Sequence, residues 1–200
     1  MDLFATDKVI NILPFDGITN NHGVFLSKID ADFYYKNFFE TIPWEHDQAI
    51  IFGKIITTKR KVAWFGDEEF DYTYSKITKK ANIWTNELLA LKQIVEKESE
   101  ETYNSCLLNL YHSGKEGMAY HSDGEKMLKK NGAIASISLG ATRKFSFKHK
   151  ENNHRVDVIL EHGSLLVMKG ETQTHWLHRL PPSKKVISPR INLTFRTIQR

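Results

Sequence analysis

Arg190-Ile191-Asn192-Leu193-Thr194-Phe195-Arg196 alternates polar and apolar residues without a slip. In a strand successive side chains point to opposite faces, so Ile191, Leu193 and Phe195 make one apolar face, and Arg190, Asn192, Thr194 and Arg196 make one wet face. Working upstream, five more short runs rich in β-branched or aromatic residues sit between glycine and proline turns, at 103–111, 133–139, 143–149, 155–160 and 164–169. Six strands closely spaced along the last hundred residues predict a mainly β core, a jelly-roll or related double sheet.

Ahead of this core the pattern changes to helical spacing. Residues 31–41 read as a helix with Asp30 as a candidate N-cap and Pro43 just beyond its end. Residues 86–98 read as a second, with Thr85 as cap and Leu88, Leu91 and Val95 on one stripe. No repeat, low-complexity tract or linker interrupts the chain, which predicts a single α+β domain over residues 1–200, with helices flanking the β core.

Composition narrows the functional classes. Hydrophobic residues at 40% and 12 Phe, 7 Tyr and 4 Trp in 200 residues supply a sizeable core and exclude wholesale disorder. No apolar run approaches the ~18 residues of a membrane span, and Asp2 and Asp7 stand where a signal peptide carries basic residues. Cys106 is the sole cysteine, which rules out an intrachain disulfide and a cysteine zinc cluster and fits a reducing, intracellular compartment. The net charge is −5 over residues 1–50, +1 over 51–100 and +4 over each later fifty, an asymmetry compatible with a polyanionic partner.

The chemistry starts at His121-Ser122-Asp123, where an extended backbone turns an imidazole and a carboxylate to one face. Such a pair, completed by a distant histidine, forms the triad that holds iron and leaves three coordination positions open. Taken alone, the triplet is more often a solvated histidine beside a turn aspartate. The two arginines of the last strand add weight. Their Cα atoms lie ~20 Å apart on an extended chain, yet both side chains are long enough to lean inward and clamp a short dianion, such as a dicarboxylate, through bidentate hydrogen bonds. In Cys106-Leu107-Leu108-Asn109-Leu110-Tyr111, Asn109 and Tyr111 share a face and offer two neutral hydrogen-bonding groups.

In this order, N-x-Y, H-x-D, a late histidine before Leu-Pro and R-x-N-x-T-x-R, the motifs resemble the AlkB family of iron(II)- and 2-oxoglutarate-dependent dioxygenases. The resemblance spans about Ile50 to Arg196 and is nearest the branch that repairs alkylated bases in duplex DNA. It implies a double-stranded β-helix core and a recognition region over about residues 1–100. It also implies iron held by His121, Asp123 and His178, the last taken from Trp176-Leu177-His178-Arg179-Leu180-Pro181. His175 is the rival third ligand; on an extended strand it would face away from His178. For 2-oxoglutarate the resemblance implies Arg190 at the distal carboxylate, Arg196 nearer the metal, Asn109 and Tyr111 as hydrogen-bonding partners, and Asn192 and Thr194 in support. The implied reaction consumes dioxygen, turns 2-oxoglutarate into succinate and carbon dioxide, and hydroxylates an N-methyl group that then leaves as formaldehyde.

A stacked base must be flipped out to reach such a site. Ile51-Phe52-Gly53-Lys54 resembles the branch's wedge, with Phe52 filling the gap. Lys59-Arg60-Lys61 resembles its phosphate-contacting loop, and Tyr72-Thr73-Tyr74 its base-holding strand. Gly124 stands where the branch has an acidic residue, for which Glu125 is the candidate substitute, and Tyr74 stands where it has phenylalanine. The expected partner is therefore DNA with alkylated bases, or RNA, handled by a monomer with no membrane involvement, in the cytoplasm of a bacterium or the nucleus of a eukaryote. Two other readings share some of these features: an oxygenase acting on RNA or protein, and a non-catalytic nucleic-acid-binding module with a structural metal.

Overall fold

A computed structural model describes residues 9–51, 54–69, 71–74 and 77–199, and for residues 49–51, 54, 55, 71–74 and 77–79 the backbone alone. In chain order the elements are β1 (Ile10–Asn11), β2 (Ile18–Val24), α1 (Lys28–Thr41), β3 (Glu45–Ile51), β4 (Lys54–Gly66), β5 (Asp71–Tyr74), β6 (Ile77–Lys80), β7 (Asn82–Ile83) and α2 (Asn86–Ser99). There follow β8 (Ser105–Tyr111), β9 (Met118–His121), β10 (Ile134–Gly140), β11 (Arg143–His149), β12 (Arg155–Leu160), β13 (Ser164–Lys169), α3 (Thr172–His175), β14 (Trp176–Leu180) and β15 (Arg190–Arg196).

The six expected strands form within two residues of the expected limits and sort into two sheets. The major sheet runs β1-β2-β13-β10-β15-β8-β4-β3, with β7 added in parallel to β4; the minor sheet runs β12-β11-β14-β9. From β8 onward the chain crosses repeatedly between the sheets, with β8, β10, β13 and β15 in the major and β9, β11, β12 and β14 in the minor, which is a jelly-roll arrangement. β15 lies at the centre of the major sheet between β10 and β8, so its apolar side chains are wholly covered.

Hydrophobic burial explains what packs where. Leu88, Leu91 and Val95 form the stripe that the sequence showed, and all three are buried against the outer face of the major sheet with Phe38 of α1 and with Leu108, Ile137, Leu193 and Phe195. Each fully buried side chain of this size stabilises the fold by about 1.5–3 kcal/mol. A second cluster, Ile134, Leu166 and Met168 from the major sheet with Phe147, Val158, Leu160 and Trp176 from the minor, fills one end of the space between the sheets. The other end of that space stays open and polar. Among the described residues no helix is long and apolar enough to cross a membrane.

The helix limits carry one correction. α1 begins at Lys28, because the Ser27 hydroxyl accepts from the Asp30 N–H at 3.1 Å and donates to Asp30 Oδ2 at 2.6 Å; Ser27 is the cap and Asp30 its first-turn partner. For α2 the expected cap holds, with Thr85 Oγ1 accepting from the Leu88 N–H at 3.2 Å. The front half is also less helical than expected. β2 pairs with β13, and β4 pairs with β8 from Lys61↔Leu110 to Gly66↔Ser105, so the major sheet recruits strands from both halves of the chain. The charged run Lys59-Arg60-Lys61 hides β4 from a periodicity test, since a strand on the rim of a polar cavity has no apolar inner face to reveal it.

Candidate active site

The polar face of β15 and its neighbours on β8 meet side by side. Arg190 pairs in register with Tyr111 and Asn192 with Asn109, which places the two motif strands in one patch of the major sheet. Opposite, β14 and β9 of the minor sheet pair His178 with His121. Between them lies a cavity of about 350 Å³, lined among others by Asn109, Tyr111, His121, Asp123, Glu125, His178, Arg190, Asn192, Thr194 and Arg196.

His121, Asp123 and His178 each present one ligand atom, and the three atoms lie within 4.8 Å of one another. His121 closes β9, and Asp123 follows in irregular chain, where its N–H donates to Gln173 Oε1 at 2.9 Å. The His121 Nδ1 lies 2.9 Å from the Ala119 carbonyl, a contact that places the proton on Nδ1 and leaves Nε2 free to ligate. Burial pulls the His178 imidazole down to about pH 3, against the opposing pull of Asp123, so the ring is neutral at physiological pH. Burial alone would raise the Asp123 carboxyl; the Arg196 guanidinium leads the attractions that outweigh it and hold the group below the usual carboxylate range. A neutral His178, an ionised Asp123 and the His121 Nε2, converging in one mostly buried group, are the donor set that iron(II) requires.

The arginine end of the cavity is cationic. Arg190 is fully buried, donates from Nη2 to Ser138 Oγ at 2.9 Å and lies 5.7 Å from the Tyr111 ring centre. Among the described residues its Nε has no hydrogen-bond partner, and burial draws its pKa down to about 10. Among the described residues no carboxylate pairs with it. An uncompensated buried guanidinium is costly, and a ligand carboxylate is its natural counter-ion. Arg196 sits closer to the triad, with Nη2 donating to Asp123 Oδ2 at 2.8 Å. Asn192 donates to Ser136 Oγ at 2.9 Å and to the Ile137 carbonyl at 3.0 Å, and Thr194 Oγ1 donates to Asn192 Oδ1 at 3.3 Å, so these two brace the patch from within.

Two expectations change. His175 is not on a strand: it ends α3, with its ring stacked parallel to that of His149 at 6.1 Å, in a separate corner with Asp16. There the His149 Nδ1 accepts from the Glu151 and Asn152 N–H groups at 3.4 Å, and its buried Nε2 lies 3.3 Å from Asp16 Oδ2 without a hydrogen bond among the described residues. Arg60 is buried in the cavity wall, bonded through Nη2 to Asp47 and through Nη1 to Asn109 Oδ1 at 2.8 Å. A guanidinium engaged at both ends inside the protein is not positioned for a surface phosphate, so the phosphate-loop expectation fails for this residue.

Of the remaining expected contacts, Glu125 lines the cavity. Tyr72 and Tyr74 lie on β5, whose backbone pairs only with β6 among the described residues, Tyr72↔Lys79 and Tyr74↔Ile77. Phe52 and Gly53 lie outside the described residues. Sequence reasoning missed Asp47, Gln173, Ser136 and Ser138, none of which sits in a local motif; only strand pairing brings them to the site.

A jelly roll enclosing a His-Asp-His triad and paired arginines defines a class of iron oxygenases, and the chain belongs to the 2OG-Fe(II) oxygenase superfamily, which matches residues 22–196. Membership implies iron(II), 2-oxoglutarate and dioxygen. Within the superfamily the chain is homologous to the bovine alpha-ketoglutarate-dependent dioxygenase alkB homolog 3, with 39% identity over 184 residues, 87% of this chain and 64% of the relative. It is likewise homologous to the human DNA oxidative demethylase ALKBH2, with 36% identity over 194 residues, 92% of this chain and 74% of the relative. The chain thus spans somewhat under two thirds of the length of the alkB homolog 3 proteins. The solved structure of OsALKBH1 shares the fold, with a TM-score of 0.62 at 17% identity over 92% of this chain and 99% of that one.

Proposed function

We propose that this chain is an oxidative demethylase of DNA, acting as a single domain and a monomer inside the cell, on N-methyl lesions of the 1-methyladenine and 3-methylcytosine type. The observation that carries the reading is the meeting, in one cavity, of the His121–Asp123–His178 triad and the buried Arg190 guanidinium, which has no carboxylate partner among the described residues. Bound iron(II), 2-oxoglutarate and dioxygen supply hydroxylation of a C–H bond, coupled to decarboxylation of the cosubstrate to succinate.

The chain's own residues hold and orient. His121, Asp123 and His178 take the metal, Arg190 the distal carboxylate of 2-oxoglutarate, and Arg196 the end nearer Asp123. Asn109 and Tyr111 add hydrogen bonds to the same molecule. Phe145, stacked on His178 at 5.4 Å, and Met168 and Leu180 in the cavity lining keep water from the reacting end. A hydroxylated N-methyl group is a hemiaminal, which loses formaldehyde and needs no nucleophilic side chain. DNA as substrate is supported by the names of the ALKBH2 relatives and by the basic balance of residues 101–200. Phe52, Gly53, Tyr72, Tyr74 and Glu125 are the proposed contacts to the flipped nucleotide, Phe52 as wedge.

The test incubates the protein with iron(II), ascorbate, 2-oxoglutarate and an oligonucleotide carrying 1-methyladenine or 3-methylcytosine, with RNA of the same sequence in parallel. The expected result is loss of one methylene mass from the DNA base with equimolar formaldehyde. Turnover on RNA alone would replace the substrate class, and none on either would overturn the reading.

A further inference from the structure

Asn109 is expected to face 2-oxoglutarate, yet an amide is ambiguous: its oxygen repels a carboxylate and its nitrogen donates to one. In this fold the ambiguity is removed by a neighbour in the cavity wall. Arg60 Nη1 donates to Asn109 Oδ1 at 2.8 Å, which fixes the oxygen toward β4 and turns the two Nδ2 hydrogens the other way. Arg60 is itself fixed, because its Nη2 is bonded to the buried carboxylate of Asp47 on β3. The Asp47 Oδ1 accepts from the Gln48 N–H at 3.0 Å, so the carboxylate is held on both oxygens. Arg60 also passes 3.9 Å from Met118 Sδ at the start of β9, the strand that ends in His121. Asp47, Arg60, Asn109 and Met118 all line the cavity.

We propose that Asp47 and Arg60 are positioning residues that set the Asn109 amide so that it presents its donors, and not its oxygen, to the 2-oxoglutarate carboxylate. The inference rests on the reading of this cavity as the cosubstrate site. Its physical basis is that Arg60 is a planar fork, each of whose terminal nitrogens bonds a different partner; a lysine reaches one partner but not both. A flipped Asn109 would set NH₂ against the guanidinium, leaving donors facing donors in a buried wall. The pair also ties the β3–β4 hairpin to β8, so the part of the chain that carries the proposed nucleotide contacts helps to orient the part that holds the cosubstrate.

The test separates orientation from stability. In Asp47→Leu/Arg60→Met the buried ion pair is replaced by apolar side chains, which keeps the net charge of the wall and is commonly neutral or stabilising for the fold. Arg60→Lys keeps the charge and breaks the fork. For both, and for the unaltered protein, 2-oxoglutarate is titrated calorimetrically into the Mn(II)-loaded chain, and the thermal midpoint is measured alongside. The expected outcome is a dissociation constant raised about tenfold in both variants, the effect of one lost hydrogen bond to a charged group. In turnover the KM for 2-oxoglutarate should rise with kcat near that of the unaltered protein. A merely structural pair predicts lower midpoints and unchanged affinity, and that result overturns the proposal. Should the unaltered protein take up no 2-oxoglutarate, the enzyme reading itself falls, and this inference with it.

Discussion

Arg196 Nη2 donates to Asp123 Oδ2 at 2.8 Å although 73 positions separate the two residues, and both are buried. The guanidinium therefore keeps the carboxylate of the His-Asp-His triad ionised in a place where burial alone would favour its neutral form. Arg196→Met should let burial raise the Asp123 carboxyl and should weaken metal binding by about 10–100-fold, the usual cost of losing a group that orients a ligand. Breaking the buried pair should also lower stability by about 3–5 kcal/mol. A Mn(II) titration and a denaturant melt check the two effects.

The metal assignment predicts that His121→Ala, Asp123→Ala and His178→Ala each abolish tight iron binding and turnover. His175→Ala should retain both, because the His175 ring belongs to the corner with Asp16 and His149. Metal content after desalting is the readout. A metal-free His175 variant beside a metal-bound His178 variant would reverse the third-ligand assignment.

Arg190→Met removes a buried cation that has no counter-ion among the described residues. Without cosubstrate the variant should be at least as stable as the parent, since an apolar side chain fits this wall at lower desolvation cost. The parent should gain about 2.7 kcal/mol at 2-oxoglutarate concentrations 100-fold above the dissociation constant. The variant should gain almost nothing. Paired thermal melts with and without 2-oxoglutarate and Mn(II) decide it.

Phe52→Ala tests the wedge assignment. Unstacking and unpairing a nucleotide costs a few kcal/mol in a duplex and much less in a single strand. The variant should lose far more activity on a methylated duplex than on the same base in a single strand, with 2-oxoglutarate binding unchanged. A core role predicts instead a stability loss of about 3–5 kcal/mol and parallel losses on both substrates. Melting curves and the ratio of the two activities distinguish these outcomes.

Much of this molecule is local in origin. The alternation of Arg190–Arg196, the Leu88, Leu91 and Val95 stripe and the Thr85 cap are properties of short windows, because side-chain direction repeats every 2 residues in a strand and every 3.6 in a helix. They determined the β core, the second helix and the polar face of the last strand. H-x-D, N-x-Y and the late histidine could be read for the same reason: each pair of donors lies within three residues. Tertiary structure alone decided the rest. It joined β4 to β8 and thereby moved Arg60 from an expected surface loop to a buried position between Asp47 and Asn109. It ended α3 at His175 and so separated that histidine from His178 by a change of element, where an unbroken strand would only have turned it to the other face. It also brought Ser138, Ser136 and Gln173, polar residues with no motif around them, against Arg190, Asn192 and Asp123 respectively. Partners 13 to 73 residues apart in sequence are chosen by strand order and register, which minimise unpaired backbone and exposed apolar surface over the whole chain, and no short window contains that sum.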